Sequence, residues 1–396
     1  MAAAAACLAA GWLAACGGAG EPDAGGPLVP IGEAVIAPQP EVEGDPEIGG
    51  LSSLFHVGGG LYYAVSDDRG VRGPARYYTI HIPLTGGRLN GEQVSVLNWD
   101  ELRDAGGEPL APLTFDLEGL VAHGNSIFVA SEGDVEAGVP PFIAVFDAES
   151  RLVERLGLPP LFLPAGGGAI GVRDNLAFES LTIDPSGRYL FTATESALAQ
   201  DGPIATTEHG ATARILRFDR ERGVFDAQYL YPVEPIHAAA ALPGGVQDNG
   251  LVELVAFSDR SLLALERSFA AGAAVEQSIR LFEVCLEGAD DIATIPGLAA
   301  VETASIRPAR KRLIADIAEL VDDPDNVEGF SLGPRLRTGE PTLLFVSDNN
   351  FDPVRQTTKI LAFRIEPGAI TGCEGVGGGP GEELALEDAL LEHPSR

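Results

Sequence analysis

Apolar residues in this chain fall into short runs of strand length, each closed off by Gly, Pro, Asn or Asp. One such run, with an acid at its start, recurs. It reads Asp116-Leu117-Glu118-Gly119-Leu120, Ala177-Phe178-Glu179-Ser180-Leu181, Leu251-Val252-Glu253-Leu254-Val255 and Asn326-Val327-Glu328-Gly329-Phe330. A second apolar run ends in an acid 13 to 20 residues after each Glu. These runs are Ile127-Phe128-Val129-Ala130-Ser131-Glu132, Leu190-Phe191-Thr192-Ala193-Thr194-Glu195, Leu262-Leu263-Ala264-Leu265-Glu266 and Leu343-Leu344-Phe345-Val346-Ser347-Asp348. An earlier copy starts at Gly49-Gly50-Leu51, lacks the first Glu and reaches Tyr62-Tyr63-Ala64-Val65-Ser66-Asp67.

Five copies result, with successive Glu residues 61, 74 and 75 positions apart. A repeat of this kind implies stacked supersecondary units, each unable to bury its apolar face alone. Copy two contains four strand-like runs, at residues 119–122, 127–131, 142–146 and 152–156. Four strands per unit, repeated radially, predict an all-β propeller of five blades, with six blades as the alternative. Helical periodicity is scarce; residues 312–321 form the best short candidate and read equally as a strand and turn. An antiparallel hairpin carries the chain away from the first acid of a copy and back to the second. Both acids of every copy are therefore expected on one face, around the central channel.

Copy five offers only three strands, and the apolar stretch at 34–37 is the natural fourth, closing the ring. The 396 residues then divide into a leader at 1–16, an acidic Gly/Pro-rich tether at 17–46, the propeller at 47–368 and a flexible tail at 369–396, with a short helix expected at 382–391. The leader is too short to span a membrane and fits the apolar region of a signal peptide. Leu13-Ala14-Ala15-Cys16 has the form of a bacterial lipobox, in which Cys16 carries the lipid. An ordinary secretory signal is the alternative. Export permits a disulfide, and Cys285 and Cys373 are either a pair joining neighbouring blades or two separate thiols.

Charge narrows the function. The formal net charge is −32, from 58 acidic and 26 basic residues, which excludes nucleic acid and anionic membrane surfaces as partners. Such a surface suits cation binding or solubility in salt. No H-E-x-x-H and no paired C-x-x-C is present, so a zinc site is not expected. Gly329-Phe330-Ser331-Leu332-Gly333 matches G-x-S-x-G, but it opens a strand rather than a strand–turn–helix elbow.

Phe178-Glu179-Ser180-Leu181 with Asp184-Pro185-Ser186-Gly187, and the late Ser347-Asp348-Asn349-Asn350-Phe351, resemble the bacterial phytase-like propeller family described by an esterase-like activity of phytase. The resemblance spans residues 49–366. Alkaline phytases bind calcium through acidic residues in the channel and cleave phosphate monoesters. Asp322-Asp323-Pro324-Asp325 is similar to their acidic Asp-Asp-Pro motif. The resemblance thus implies a calcium-dependent hydrolase of phosphate or carboxylic esters.

The candidate metal ligands are Asp67, Glu118, Glu132, Glu179, Glu195, Glu266, Glu328 and Asp348, because hard carboxylate oxygens suit calcium. A Glu at a strand start can instead accept backbone N–H groups from the next blade. Arg173, Arg267, Arg355 and Lys359 sit beside the repeat motifs and are the candidates for holding a small anionic ester. The competing reading is a non-catalytic envelope propeller that binds a ligand or partner on the same face. Either way the expected protein is a monomer of the cell envelope, periplasmic or held at the outer membrane by its lipid alone. A mouth dense in acids and Arg favours the enzyme; an apolar mouth favours the binder. Substituting Cys16→Ser is expected to move the mature protein from the detergent phase to the aqueous phase in phase partitioning. Unchanged partitioning of that variant refutes the lipid anchor.

Overall fold

Five four-stranded antiparallel sheets follow one another around an axis in the computed structural model, which describes residues 26–376 except 41 and 302. Blade one comprises Phe55–Gly58, Leu61–Val65, Arg76–His81 and Ser95–Glu101. Blade two comprises Leu117–His123, Ser126–Ser131, Phe142–Phe146 and Leu152–Arg155. Blade three comprises Thr182–Ile183, Tyr189–Ala193, Ala211–Asp219 and Val224–Val233. Blade four comprises Gln247–Ala256, Ser261–Ala270, Gln277–Cys285 and Arg310–Asp316. Blade five takes three strands from Asn326–Gly333, Thr342–Asp348 and Thr358–Ile365, and its fourth from Leu28–Ile36. The innermost strand of each blade touches the innermost strands of both neighbours, so five blades close the ring.

Alternation along each strand builds the core. Leu343 and Phe345 face blade four, whereas Leu344 and Val346 face blade one. Leu263 and Leu265 likewise face blade five, and Leu262 and Ala264 face blade three. Side chains alternate with period two, so a strand buried on both faces must be apolar at every position. That is why the repeat reads as continuous apolar runs. One hydrophobic core lies between each pair of adjacent blades.

The closing strand is longer than residues 34–37. It pairs antiparallel with Thr358–Ile365 along its whole length, from Leu28 opposite Ile365 to Ile36 opposite Thr358. Its first half carries Pro30 and Gly32, which gave that stretch the look of a linker. Both residues are tolerated because this is the outermost strand, with one backbone edge free. Gly32 lies at a bulge with φ of 139°, and a Cβ there would stand 2.4 Å from the Leu89 carbonyl oxygen. Residues 312–321 resolve as the strand Arg310–Asp316 and the 3-10 turn Ile317–Glu319. Among the described residues there is no α-helix, and no helix long and apolar enough to cross a membrane.

The part of the expected flexible tail that is described, residues 369–376, packs on blade four. Cys373 is bonded to Cys285 at the end of the third strand of blade four. Thr371 N–H, at 2.6 Å, and Gly372 N–H donate to the buried Glu283 carboxylate, which also meets Arg312. The short helix expected at 382–391, the glycine run before it and Cys16 lie outside the described residues.

Removal of the closing strand, residues 28–36, is expected to cost several kcal/mol, on the order of a lost strand's apolar burial, and to expose an edge that self-associates. Thermal unfolding and size-exclusion chromatography check this. A deletion variant that stays monomeric with an unchanged Tm contradicts it.

Candidate functional site

The first strand of each blade runs along the channel away from one mouth, and the antiparallel second strand returns toward that mouth. Register decides which acids arrive there. In blade five Val327 pairs with Ser347 and Gly329 with Val346, leaving Glu328 as an extra residue on the inner strand. Blade two shows the same interruption between Leu117 and Leu120, around Glu118. A bulge of this kind re-aims a side chain out of the ladder, here toward the mouth. Blade four departs from the pattern. Leu251 pairs with Glu266 and Glu253 with Leu265, so the extra residue is Val252, one position earlier. A one-residue shift turns every following side chain to the other face.

The shift has two consequences. Glu253 leaves the acidic mouth and lines a cavity of about 340 Å³ at the opposite end of the channel, among Leu181, Leu254 and Phe330. Burial pushes its carboxyl well up, against backbone N–H groups of Leu254 and Leu181 that favour the charged form. Glu266 is also absent from the mouth, contrary to the sequence expectation. It is a strut between blades three and four, accepting from Tyr231 Oη at 2.7 Å and from Glu234 N–H at 2.9 Å, with Lys311 Nζ at 2.5 Å. Its neighbour Arg267 enters the mouth instead.

The mouth is a cavity of about 270 Å³ whose lining includes Asp67, Glu118, Glu132, Glu179, Glu195, Asp248, Glu328 and Arg267. Six of the eight predicted ligands line it, all but Glu266 and Asp348. Asp348 lies beside it: it is buried, accepts from Asn350 N–H at 2.9 Å, and feels the Glu328 charge. No Ser, Thr, Cys or His is among the lining residues. Ser331 lines the opposite cavity, where its hydroxyl donates to the Leu332 carbonyl at 3.1 Å and accepts from His56 N–H.

Of the four predicted anion-holding cations, Arg267 alone reaches the mouth. Its Nη1 contacts Glu328 and lies 2.6 Å from Asn326 Oδ1. Arg173 donates to the carbonyls of Ala197 and Gly202 and is structural. Arg355 is exposed beside Asp352, and Lys359 is bound to Asp323. Three groups at the mouth escaped the sequence reading. Asp116 stands two residues before Glu118, where the other copies have Ala177, Leu251 and Asn326, so repetition could not reveal it. Asp248 precedes its motif, and Arg69 follows Asp67 by two residues. Arg69 Nη2 lies 2.5 Å from Asp116 and 3.7 Å from Glu132, and its Nη1 lies 3.1 Å from Asp134.

Two cations do not offset so many carboxylates. Like charges about 4 Å apart repel by roughly 1 to 4 kcal/mol, depending on the local dielectric. Burial, then the neighbouring Asp116, Asp348 and Glu328, hold the Asp67 carboxyl well above its usual range. Burial with Asp67 and Glu179 does the same to Glu118, and burial with Glu195 and Glu328 to Glu179. Glu132 is pushed up to about 10, by burial and then by Glu179 and Asp116. Burial lifts Glu195 to about 8 despite Arg267, and burial with Glu328 lifts Asp348 to about 8. Gly250 makes room for one of these groups: a Cβ there would stand 2.1 Å from Glu195 Oε1.

The crowding is greatest at Asp67, Asp116 and Glu118, which each bring a carboxylate oxygen to within 4.8 Å of the others. Asp116 Oδ1 is buried and receives no N–H or hydroxyl donor, and the neighbours of the Asp116 carboxylate include the crowded carboxyls of Asp67 and Glu132. Three hard oxygens converging from two blades, one of them without a donor, fit a calcium-like divalent cation. Zinc would call for His or Cys, and neither lines the mouth.

Among solved structures the chain is similar to the GH43 endo-arabinanase from Bacillus licheniformis, at 11% identity and a TM-score of 0.37, over 81% of this chain and 96% of that one. It is similar to the catalytic domain of the Coprinopsis cinerea GH62 alpha-L-arabinofuranosidase at 10% identity and a TM-score of 0.40, over 85% and 98%. A protein of unknown function from Dyadobacter fermentans aligns at 11% identity and a TM-score of 0.36, over 86% and 100%. No curated protein matches the sequence. Residues 46–351 match the phytase-like family, described by the esterase-like activity of phytase, and the chain belongs to that family.

Proposed function

We propose that this protein is an exported, calcium-dependent hydrolase of small anionic esters, phosphate monoesters foremost, acting at the acidic mouth. The observation that carries the reading is the Asp67–Asp116–Glu118 convergence, with an Asp116 oxygen that receives no donor. Family membership supports ester hydrolysis. The mixture of carboxylates with Arg69 and Arg267 supports an enzyme over a binding propeller. Anchoring through Cys16 to the bacterial envelope, and action as a monomer, complete the proposal.

Asp67, Asp116 and Glu118 would hold the cation. Bound there, calcium supplies a Lewis acid that polarises the ester and lowers the pKa of water. The remaining groups belong to the chain. No Ser, Thr, Cys or His lines the cavity, and with its carboxylates assigned to the cation and to proton transfer the nucleophile of this reading is water. Glu195, which lines the cavity and is poised near 8 in the metal-free protein, exchanges protons close to neutral pH and suits general acid–base work. Glu132, higher still, keeps its proton for a leaving group. Arg267 fixes Glu328 and Asn326 at the rim.

The test is hydrolysis of 4-nitrophenyl phosphate and 4-nitrophenyl acetate, each with calcium and with EDTA. Calcium-dependent turnover of the phosphate is the expected result. No turnover of either ester with calcium present overturns the enzyme reading.

Asp67→Asn separates a metal ligand from a strut. Removing one of three crowded charges is expected to leave the EDTA Tm unchanged or higher, while shrinking the rise produced by calcium. For the wild type that rise corresponds to about 2.7 kcal/mol at a hundredfold excess over Kd. A variant destabilised in EDTA, with its calcium response intact, contradicts the metal site.

The pH dependence has a definite sign. Glu195, Asp348 and Glu132 hold protons in the folded state up to about 8, 8 and 10, whereas in the unfolded chain they release them near pH 4. The folded state binds more protons across that window, so stability falls as pH rises through it. In EDTA, Tm is therefore expected to drop between about pH 5 and pH 8, and calcium is expected to flatten that drop. A Tm that rises over this range in EDTA contradicts the account.

A further inference from the structure

Arg69 differs from every other cation near the mouth. Arg267 is committed to Glu328 and Asn326, and its side chain is 18% exposed. The Arg69 side chain is 34% exposed and spans groups of two blades, with Asp116, Glu132 and Asp134 from blade two and Asn175 Oδ1 from the approach to blade three at 3.5 Å. Its backbone is held at φ of 52°, a conformation that non-glycine residues rarely adopt. The turn around it is fixed. Leu113 N–H donates to the Arg69 carbonyl at 2.8 Å, and Gly70 N–H donates to Asp68, whose carboxylate is clamped by the fully buried Arg76. Strain kept in place by a buried ion pair fixes the turn that carries this side chain beside Glu132 and Asn175, both of which line the mouth.

Asp116 links this arginine to the crowded carboxylates. Its Oδ2 is on the guanidinium, while its Oδ1 is buried and receives no donor, and Asp116 is itself one of the three converging acids. A divalent cation on those acids draws on the same charge that holds Arg69 and repels the guanidinium. The planar fork of Arg suits two oxygens of one oxyanion.

We propose that Arg69 is the substrate-anion receptor of the mouth, stored on Asp116 and Asp134 and handed to an oxyanion such as a phosphate monoester when a divalent cation occupies the Asp67–Asp116–Glu118 site. This rests on the function proposed above. It assigns anion recognition to a residue outside the repeat motifs, and it makes cation and anion binding interdependent.

Titration calorimetry on the full chain tests it, with calcium chloride alone and then with phenylphosphonate, a non-hydrolysable stand-in for a phosphate monoester, in saturating calcium and in EDTA. Wild type is expected to bind phenylphosphonate with calcium and not in EDTA. Arg69→Gln is expected to bind calcium at least as tightly as wild type but phenylphosphonate roughly 10- to 100-fold more weakly, the range for a lost charge-assisted bond. Arg69→Lys, which keeps the charge and loses the fork, is expected to fall between them with unchanged calcium binding. Wild-type phenylphosphonate affinity in both variants overturns the receptor role and leaves the metal site standing. Loss of calcium binding in Arg69→Gln makes Arg69 a strut and overturns the handover. Absence of calcium binding in the wild type overturns both this proposal and the function it rests on. If Arg69→Gln fails to fold, Arg69→Lys decides alone: equal phenylphosphonate affinity sinks the proposal.

Discussion

Closure of the ring is the constraint from which the rest of this structure follows. Leu28–Ile36 pairs with Thr358–Ile365 and joins the two ends of the chain in one blade. A closed ring forces the innermost strands of all five blades onto one axis, each in contact with two neighbours. Acids placed at the same point of each repeat then have nowhere to go but the same mouth. Closure turns a sequence periodicity into a charge density, and the raised carboxyl pKa values are its electrostatic cost.

That density is managed in two ways. At the mouth itself, Arg69 and Arg267 each bind carboxylates from neighbouring blades. Elsewhere two arginines are buried together with their acids. Arg214 is wholly buried and reaches Asp201 through two bonds of 2.6 and 2.9 Å, with Gln228 at 2.9 Å. Arg76 is equally buried, with Asp68 and with Tyr78 Oη at 2.6 Å. Removing one partner of such a pair strands a buried charge, at a cost of about 3–5 kcal/mol. The contrast marks the mouth: its carboxylates outnumber Arg69 and Arg267, while the buried Arg76 and Arg214 each have a matching acid. Satisfied pairs serve the architecture, and unsatisfied ones point to a ligand.

The repeat motif has not one role but two. Glu118, Glu179 and Glu328 line the mouth, while Glu253 faces the opposite cavity and Glu266 braces two blades. Blade four is the exception because its bulge falls at Val252. The same displacement delivers Arg267 to the mouth, so a single register change removes two acids from the ring and adds a cation. Without that change Glu179 and Glu195 would lack the guanidinium that now favours their charged forms.

Five blades, the two-faced burial of their strands and the clustering of most repeat acids were legible in the chain alone. They depend on period-two apolar runs and on hairpin geometry, both local properties. The rest depends on relations that no local pattern carries. Whether a carboxylate meets the axis turns on which residue of a strand is the extra one, and Glu253 and Glu328 look alike in their motifs although only Glu328 is the extra residue of its strand. The closing strand was half hidden because Pro30 and Gly32 are admissible only where an outer edge is free. Asp116 and Arg69 stand outside the repeat, and only ring closure brings them together from blades one and two. The Cys285–Cys373 bond needed the path of the chain under blade four. The sequence determined which chemistry is present and how often. Three-dimensional register decided which copies share a site, because a one-residue shift in a β-ladder reverses the face a side chain occupies.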